Sequence, residues 1–110
     1  MRYKNKKLRE LCRGKRCYLQ IPGICKNRTD TVVPVHSPDY LRMHGKDGMN
    51  VKAHDIFIVP GCQDCHDVLD GRRHISNTHI TKQDLQWFFD NAHAEFLVDI
   101  IKSGELKNVI

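Results

Sequence analysis

The hydrophobic pattern of the chain predicts short helices and strands first and one long helix last. Residues 4–13 suit a short basic helix, because Leu8, Leu11 and Cys12 fall on one side and Gly14 follows as a stop. Three apolar segments predict short strands, and Pro34 marks an edge or a bulge in the second. These segments are CYLQ (17–20), TVVPVH (31–36) and IFIVP (56–60).

Two further helices follow the third predicted strand. The first should span 63–69 and end at Gly71. Thr81 and Asp84 resemble a capping box, with Asp in place of the usual Glu, and would open a helix over 82–103 that ends at Gly104. Its apolar stripe consists of Leu85, Phe88, Phe89, Ala92, Phe96 and Ile100. Residues 37–55 are polar and irregular, which is typical of a long functional loop.

Length and composition fit one small globular domain over residues 1–110. Hydrophobic residues make up 40% of the chain and charged residues 28%, and no run of 18 apolar residues exists to span a membrane. The first residues, MRYKNKKLRELCRGKR, lack the apolar core of a secretory signal. We therefore expect a cytoplasmic protein, whose five cysteines stay reduced and serve metal binding or catalysis.

The positive charge is concentrated at the start of the chain. The net charge is +5, yet residues 1–16 hold eight Lys or Arg against one acid, Glu10, while the remainder is net acidic. We call residues 1–16 the basic arm. Such an arm fits a phosphate backbone, and it equally fits a solvated, fraying helix.

The motif CQDCH (62–66) has three readings. Covalent haem attachment normally takes place outside the cytosol and leaves three cysteines without a role. A thioredoxin-like redox pair is favoured by a strand that leads into a helix N-terminus, where a thiol pKa falls. However, the following segment lacks the alternating strand and helix pattern, and Cys17 and Cys25 remain unexplained.

A zinc site uses the most residues. Structural zinc takes four thiolate or imidazole ligands, and Cys62 with Cys65 would form one half-site. Cys17 and Cys25 can form the other half, because the intervening IPGI turn folds the chain back, although Cys12 could replace Cys17. A Cys2His2 finger that uses His74 and His79 fits poorly, since only eight residues separate Cys65 from His74.

Two of the seven histidines have a suggestive position. His36 ends a predicted strand just before the long loop, and His66 shares one helix face with Asp70, four residues later. His66 and Asp70 could hold a divalent cation or could simply form an exposed ion pair. Two strands, a loop and a metal-binding helix describe the ββα-metal nuclease core, in which the strand histidine activates water and the cation stabilises the transition state.

Three stretches resemble a phage and prophage family of HNH (ββα-metal) nucleases, the YbcO family. They are RGKRCYLQIPGIC (13–25), LRMHGKDGMNVKAHD (41–55) and CQDCHDVLDGRRH (62–74). The resemblance covers residues 8–75 and implies an α+β fold with a zinc-clamped ββα core (17–75). The basic N-terminal helix (1–16) and the long C-terminal helix (81–104), which the hydrophobic pattern predicts, would flank that core. It implies structural zinc at Cys17, Cys25, Cys62 and Cys65, and catalytic roles for His36, Asp55 and His66.

The sequence departs from the HNH pattern at three places. Val35 stands where many such nucleases carry a second metal ligand, Asp55 takes the position of the middle Asn, and four extra residues (37–40) follow His36. His66, Asp70 and His74 are the candidate ligands of a catalytic Mg²⁺ or Mn²⁺, and Asp55 or His36 could complete the set.

These observations favour a metal-dependent DNA endonuclease in phage recombination or DNA processing, located in the bacterial host cytoplasm. The basic arm and four further cations would contact DNA phosphates. The four are Arg42, Lys52, Arg72 and Arg73. The alternatives are a non-catalytic zinc module that binds DNA or a recombination protein, and the redox domain. The pattern leaves the oligomeric state open.

Overall fold

The structure is a computed structural model that describes residues 3–37, 54–71 and 80–110. Three helices and a two-stranded sheet form a small mixed α/β arrangement within these residues. In chain order they are α1 (Lys6–Cys12), β1 (Val33–His36), β2 (Ile58–Gly61), α2 (Gln63–Leu69) and α3 (Lys82–Ser103). Short 3-10 helices cover Thr29–Thr31 and Glu105–Asn108.

The antiparallel pair β1–β2 forms the centre of the fold. Its register runs from Val33 opposite Gly61 to His36 opposite Ile58, so His36 stands at the end where the long loop joins the strands. Gly61 is required by close packing, because a Cβ there would lie 2.8 Å from side-chain atoms of both Leu19 and Val35. The first residues after Arg16 therefore lie directly against the sheet.

Helix α1 begins and ends close to its predicted limits. Asn5 caps it, since its side-chain oxygen accepts the Leu8 N–H at 3.0 Å. Leu8 and Cys12 are buried in the core. Burial raises the pKa of the Cys12 thiol to about 12, and its Sγ lies 3.8 Å from the Leu8 carbonyl oxygen, so Cys12 acts as a small packing residue.

Helices α2 and α3 have the bounds that the sequence predicts. The Thr81 hydroxyl accepts the Asp84 N–H at 3.2 Å, and the Asp84 carboxylate accepts the Thr81 N–H at 2.8 Å, which completes the capping box. Gly104 ends α3 with φ 82°, a value that favours glycine. Five of the six predicted stripe residues are buried, and Phe88 is half-buried. No helix in the described ranges combines the length and apolar content that a membrane span needs.

The predicted strands were partly wrong. Residues 17–20 are not a strand, because Gln20 has a left-handed φ of 43° and only Tyr18 bonds to β2, through the Pro60 carbonyl at 2.9 Å. The strand predicted over 31–36 starts two residues later, after the 3-10 helix. The strand predicted over 56–60 shifts to Ile58–Gly61, since the Phe57 N–H closes a turn onto the His54 carbonyl at 2.9 Å.

Candidate metal centre and histidine–aspartate pair

Four cysteine sulfurs meet beside the sheet. The Sγ atoms of Cys17, Cys25, Cys62 and Cys65 all lie within 4.8 Å of one another, and those of Cys25 and Cys62 are 3.9 Å apart. A tetrahedral zinc with Zn–S bonds of about 2.3 Å would need sulfurs roughly 3.8 Å apart. Four thiolates are also the donor set that zinc favours. The cluster therefore could hold a metal ion such as zinc.

Local backbone geometry brings the first two cysteines into the cluster. The turn after Cys17 closes where the N–H groups of Ile24 and Cys25 both donate to the Ile21 carbonyl, at 3.1 and 2.9 Å. Asn27 has a φ of 54°, and its N–H donates to Cys25 Sγ at 3.4 Å. Gln20 and Asn27 are the non-glycine residues with positive φ in the described ranges. This strain of about 1–2 kcal/mol each is concentrated beside the cluster, as is common at functional sites.

Three of the four thiols, those of Cys17, Cys25 and Cys65, influence one another's ionisation. Hydrogen bonding from the Cys65 thiol, with help from backbone N–H groups, lowers the pKa of Cys17 to about 5. Burial and the Cys17 thiolate raise the pKa of Cys25 to about 11, and the hydrogen bond to Cys17, with burial, raises the pKa of Cys65. Without a cation, one thiolate thus opposes the ionisation of its neighbours. A bound Zn²⁺ would favour the deprotonated form of all four.

A second polar site lies at the loop end of the sheet. His36 Nε2 is 2.8 Å from Oδ1 of Asp55, and the Asp55 side chain is fully buried. Asp55 precedes β2 and His36 ends β1, so strand pairing holds the two residues across the hairpin. A carboxylate accepts hydrogen bonds only, which places a proton on His36 Nε2 and fixes the ring.

The N-terminal segment neutralises the buried Asp55 carboxylate. The Asn5 backbone N–H donates to Oδ2 at 2.6 Å, and Arg9 Nε lies 3.2 Å from the same oxygen. Burial alone would raise the pKa of Asp55, but the Asn5 N–H, the His36 bond and the Arg9 charge outweigh it and lower that pKa. The sequence does not indicate that Asn5 and Arg9 contact Asp55. Asn5 has the chemistry of a helix cap, but nothing in its sequence indicates a partner 50 residues away.

His66 and Asp70 share the face of α2 that their spacing predicts. Nε2 of His66 is 2.9 Å from Oδ2 of Asp70. Nδ1 of His66 is buried and has no hydrogen-bond partner among the described residues. A buried polar atom without a hydrogen bond lowers the stability of the fold by about 1–3 kcal/mol. Packing alone therefore does not explain a histidine at position 66.

The predicted catalytic metal ligands are not gathered into one group by the described residues. In the ranges 3–37, 54–71 and 80–110, the four cysteines are the only cluster of three or more His, Cys, Asp or Glu donors. Val35 is fully buried and contributes no donor, as its side chain dictates. Five predicted residues lie outside the described ranges. They are His74, Arg42, Lys52, Arg72 and Arg73.

Several cations of the basic arm form ion pairs within the fold. Beyond the contact between Arg9 and Asp55, Lys15 lies 3.1 Å from Glu105, and Arg16 lies 3.2 Å from Glu95. Three exposed cations of the arm make no ion pair with a described residue, namely Lys4, Lys7 and Arg13. Much of the arm's charge is therefore used within the fold, and these three side chains remain for an external partner.

A family model and two relatives identify the family of the chain. The family model described as "Putative nuclease YbcO" matches residues 6–92. Proteins named "Putative nuclease YbcO", from Escherichia coli strain K12, and "Putative nuclease ybcO", from Enterobacteria phage 82, are each 33% identical to the chain over 76 residues. Each match covers 69% of this chain and 75% of the relative.

A solved structure shares the fold. It is titled "Structure of a putative bacteriophage protein from Escherichia coli str. K-12 substr. MG1655", and its TM-score is 0.65 at 24% sequence identity. The match covers 87% of this chain and 98% of that chain. The family model extends over most of the chain, and it includes the four cysteines, His36, Asp55 and His66. The chain belongs to the YbcO family.

Proposed function

We propose that the chain is a metal-dependent DNA endonuclease of HNH type, formed as a single domain with a zinc-clamped ββα core. The observation that carries the proposal is the pairing of His36 with the buried Asp55 at the mouth of a hairpin that a four-cysteine cluster joins to α2. The names of the relatives support nuclease activity, and one of these relatives comes from a phage. A role in phage DNA recombination or processing is part of the same proposal.

His36 is the general base of this proposal. Because Asp55 holds the proton on Nε2, the ring's lone pair lies at Nδ1. Nδ1 takes a proton from water as the water oxygen attacks phosphorus, and the bond from phosphorus to the leaving oxygen breaks. The leaving oxygen takes up a proton from solvent. Asp55 stabilises the imidazolium that forms, while Asn5 and Arg9 keep Asp55 ionised.

His66 and Asp70 would hold the catalytic cation. Their donor atoms, an imidazole nitrogen and a carboxylate oxygen, suit Mg²⁺ or Mn²⁺, with water, phosphate and His74 completing the ligand set. When bound, such a cation neutralises charge on the phosphate and stabilises the leaving oxygen. The zinc at the four cysteines would have no chemical role and would hold α2 against the hairpin.

Phosphate contacts would come from the basic arm and from four cations of the core sequence. Lys4, Lys7 and Arg13 of the basic arm are exposed and make no ion pair with a described residue. Arg42, Lys52, Arg72 and Arg73 would supply the remaining contacts. Contacts to phosphate carry no base information, so we propose structure-selective or nonspecific cutting of DNA. A bacterial host cytoplasm, for a phage or prophage protein, is part of the same proposal.

The test is cleavage of supercoiled plasmid and branched DNA with Mg²⁺ or Mn²⁺. We expect wild type to nick the DNA, and His36→Ala to lose activity by about 100-fold or more, since it removes the general base. His93→Gln is the control, because His93 lies on α3 and contacts the Ile56 carbonyl at 2.6 Å rather than His36 or Asp55, and Gln retains a donor. Equal cleavage by wild type and His36→Ala, after nuclease-free purification, contradicts the proposal.

One observation favours a second candidate, a non-catalytic zinc module that binds DNA or a recombination protein. The cysteine cluster is the only group of three or more metal donors in the ranges that the structure describes, and Val35 replaces a ligand. This candidate predicts salt-sensitive DNA binding without cleavage in any metal. It also predicts that His36→Ala binds DNA as tightly as wild type does.

A further inference from the structure

The solvent face of α3 carries an apolar stripe. The stripe consists of Trp87, Ala94, Val98 and Ile101. All four are exposed, and the three larger side chains keep 62%, 47% and 59% of their surface accessible. Intervals of seven, four and three residues place all four on one face of a helix with 3.6 residues per turn. We call these four residues the α3 stripe.

The α3 stripe lies roughly opposite the buried face of the same helix. Leu85, Phe89 and Phe96 belong to that buried face and pack into the core. Surface helices normally present polar side chains to solvent on the side away from the core. A helix that is apolar on both sides is typical of an element with a covering surface on each side. The exposure of the stripe shows that none of the described residues, 3–37, 54–71 and 80–110, covers it.

The spacing of the stripe is self-complementary. Trp87 lies seven residues before Ala94, and Ile101 lies seven residues after it. If a second copy of α3 packs antiparallel about an axis at Ala94, each Trp87 lies opposite an Ile101. The small alanine lets the two helices approach closely at the centre, and the large residues fill the space toward the ends.

Charge favours the same antiparallel arrangement. Asp84 and Lys102 lie on one flank of the stripe at opposite ends, so antiparallel packing brings each Asp84 near a Lys102 of the other copy. Lys102 makes no ion pair with a described residue. Glu95 and Asp99, between them on that side, both pair with Arg16 of the same chain, at 3.2 and 3.7 Å, which offsets one of their two negative charges. Parallel packing would instead leave each Asp84 and the Lys102 of the other copy at opposite ends of the helix pair.

We propose that the α3 stripe is the interface of an antiparallel homodimer, an inference that does not rest on nuclease activity. The helix has 22 residues, so its face is about 33 Å long and about 10 Å wide. One such face is smaller than the roughly 800 Å² per partner of a standard interface. The dimer is therefore weak, with a dissociation constant on the order of 10–100 μM.

Sedimentation velocity over a concentration series from about 1 μM to about 1 mM, spanning that constant, tests the proposal. We expect a concentration-dependent shift from monomer to dimer. Ala94→Glu sets two carboxylates face to face at the axis and should weaken the dimer at least about tenfold. Lys107→Glu introduces the same side chain at an exposed position outside α3 and should leave it unchanged. A wild type that stays monomeric throughout overturns the proposal, as does a dimer that Ala94→Glu leaves intact.

A cysteine at the axis tests the register. Ala94→Cys should form a disulfide-linked dimer under mild oxidation of the zinc-loaded protein, because the two residues 94 lie nearest each other at the axis. Lys107→Cys is the matched control and should cross-link far more slowly. Equal rates for the two variants contradict the antiparallel register, and circular dichroism of both confirms that α3 remains folded.

Discussion

Asp55 is the residue that links the N-terminal helix, the sheet and the candidate general base. Its two carboxylate oxygens accept hydrogen bonds from His36 Nε2 at 2.8 Å and from the Asn5 N–H at 2.6 Å. The Arg9 guanidinium forms an ion pair with the carboxylate at 3.2 Å. A buried carboxylate without such partners would cost several kcal/mol. With them it stays ionised, and its lowered pKa makes its charge a source of stability.

Asp55→Asn should destabilise the fold by about 3 kcal/mol at neutral pH. The amide has one accepting oxygen for the Asn5 and His36 donors and no charge to pair with Arg9. The pKa of Asp55 is lowered in the folded state, so the stabilisation is complete above the unfolded value of about 3.9 and is lost as pH falls below it. Denaturant unfolding at several pH values measures this. The difference in the free energy of unfolding between wild type and variant should shrink in acid, whereas acid release of zinc would affect both proteins alike. A gap that is constant with pH contradicts the prediction.

At the scale of elements, the basic helix α1 has a structural role that its charge does not indicate. Its cap residue and its second turn both contact Asp55, and its buried side chains, Leu8 and Cys12, pack into the core. The hydrophobic pattern located α1 within two residues at its start and one at its end. The pattern could not show that α1 contacts Asp55 of the His36–Asp55 pair, because the contacting residues Asn5 and Asp55 are 50 residues apart in the sequence.

Substitution of two arginines in the same segment distinguishes this structural role from phosphate binding. Arg9→Gln removes the ion pair with Asp55 and should cost about 0.5–1 kcal/mol, a modest value because 38% of the Arg9 side chain is exposed and screened by solvent. Arg13→Gln removes an exposed arginine that makes no ion pair with a described residue, and should change stability by less than about 0.5 kcal/mol. Denaturant unfolding at low salt compares them, and equal losses would contradict the assigned role of α1.

At the scale of the whole molecule, the cysteine cluster connects the segment after α1 to the end of β2 and to α2. Cys17 and Cys25 come from that segment, Cys62 directly precedes α2, and Cys65 lies in its first turn. A chain of 110 residues has a small core, so a metal ion held by these four cysteines would contribute a large share of its folding free energy.

We expect about one zinc per chain, and chelation should remove cooperative unfolding or lower Tm by about 10 °C or more. Cys65→Ser removes a ligand and should abolish stoichiometric zinc. Cys12→Ala changes a buried cysteine outside the cluster and should retain zinc, at a cost of about 1 kcal/mol in packing. Metal analysis and thermal unfolding are the measurements. Purified protein that lacks metal and unfolds cooperatively would exclude the structural zinc.

The sequence by itself determined those features that depend on short-range chemistry. Helices α2 and α3 follow from local periodicity, the capping box and the glycine stops, and their bounds agree with the structure. The CQDC motif and the i, i+4 spacing of His66 and Asp70 likewise depend on residues about one helix turn apart. The strands were predicted less well, because pairing partners, rather than local pattern, decide where a short strand begins and ends.

Only the tertiary structure decided which distant groups meet. It placed Cys17, rather than Cys12, with the other three cysteines, and it used Arg9, Lys15 and Arg16 for internal ion pairs. It also left the α3 stripe in solvent. The physical reason is the same in each case. Charge, burial and metal binding depend on distances through space, and the hydrophobic pattern of one segment carries no information about the segment that packs against it.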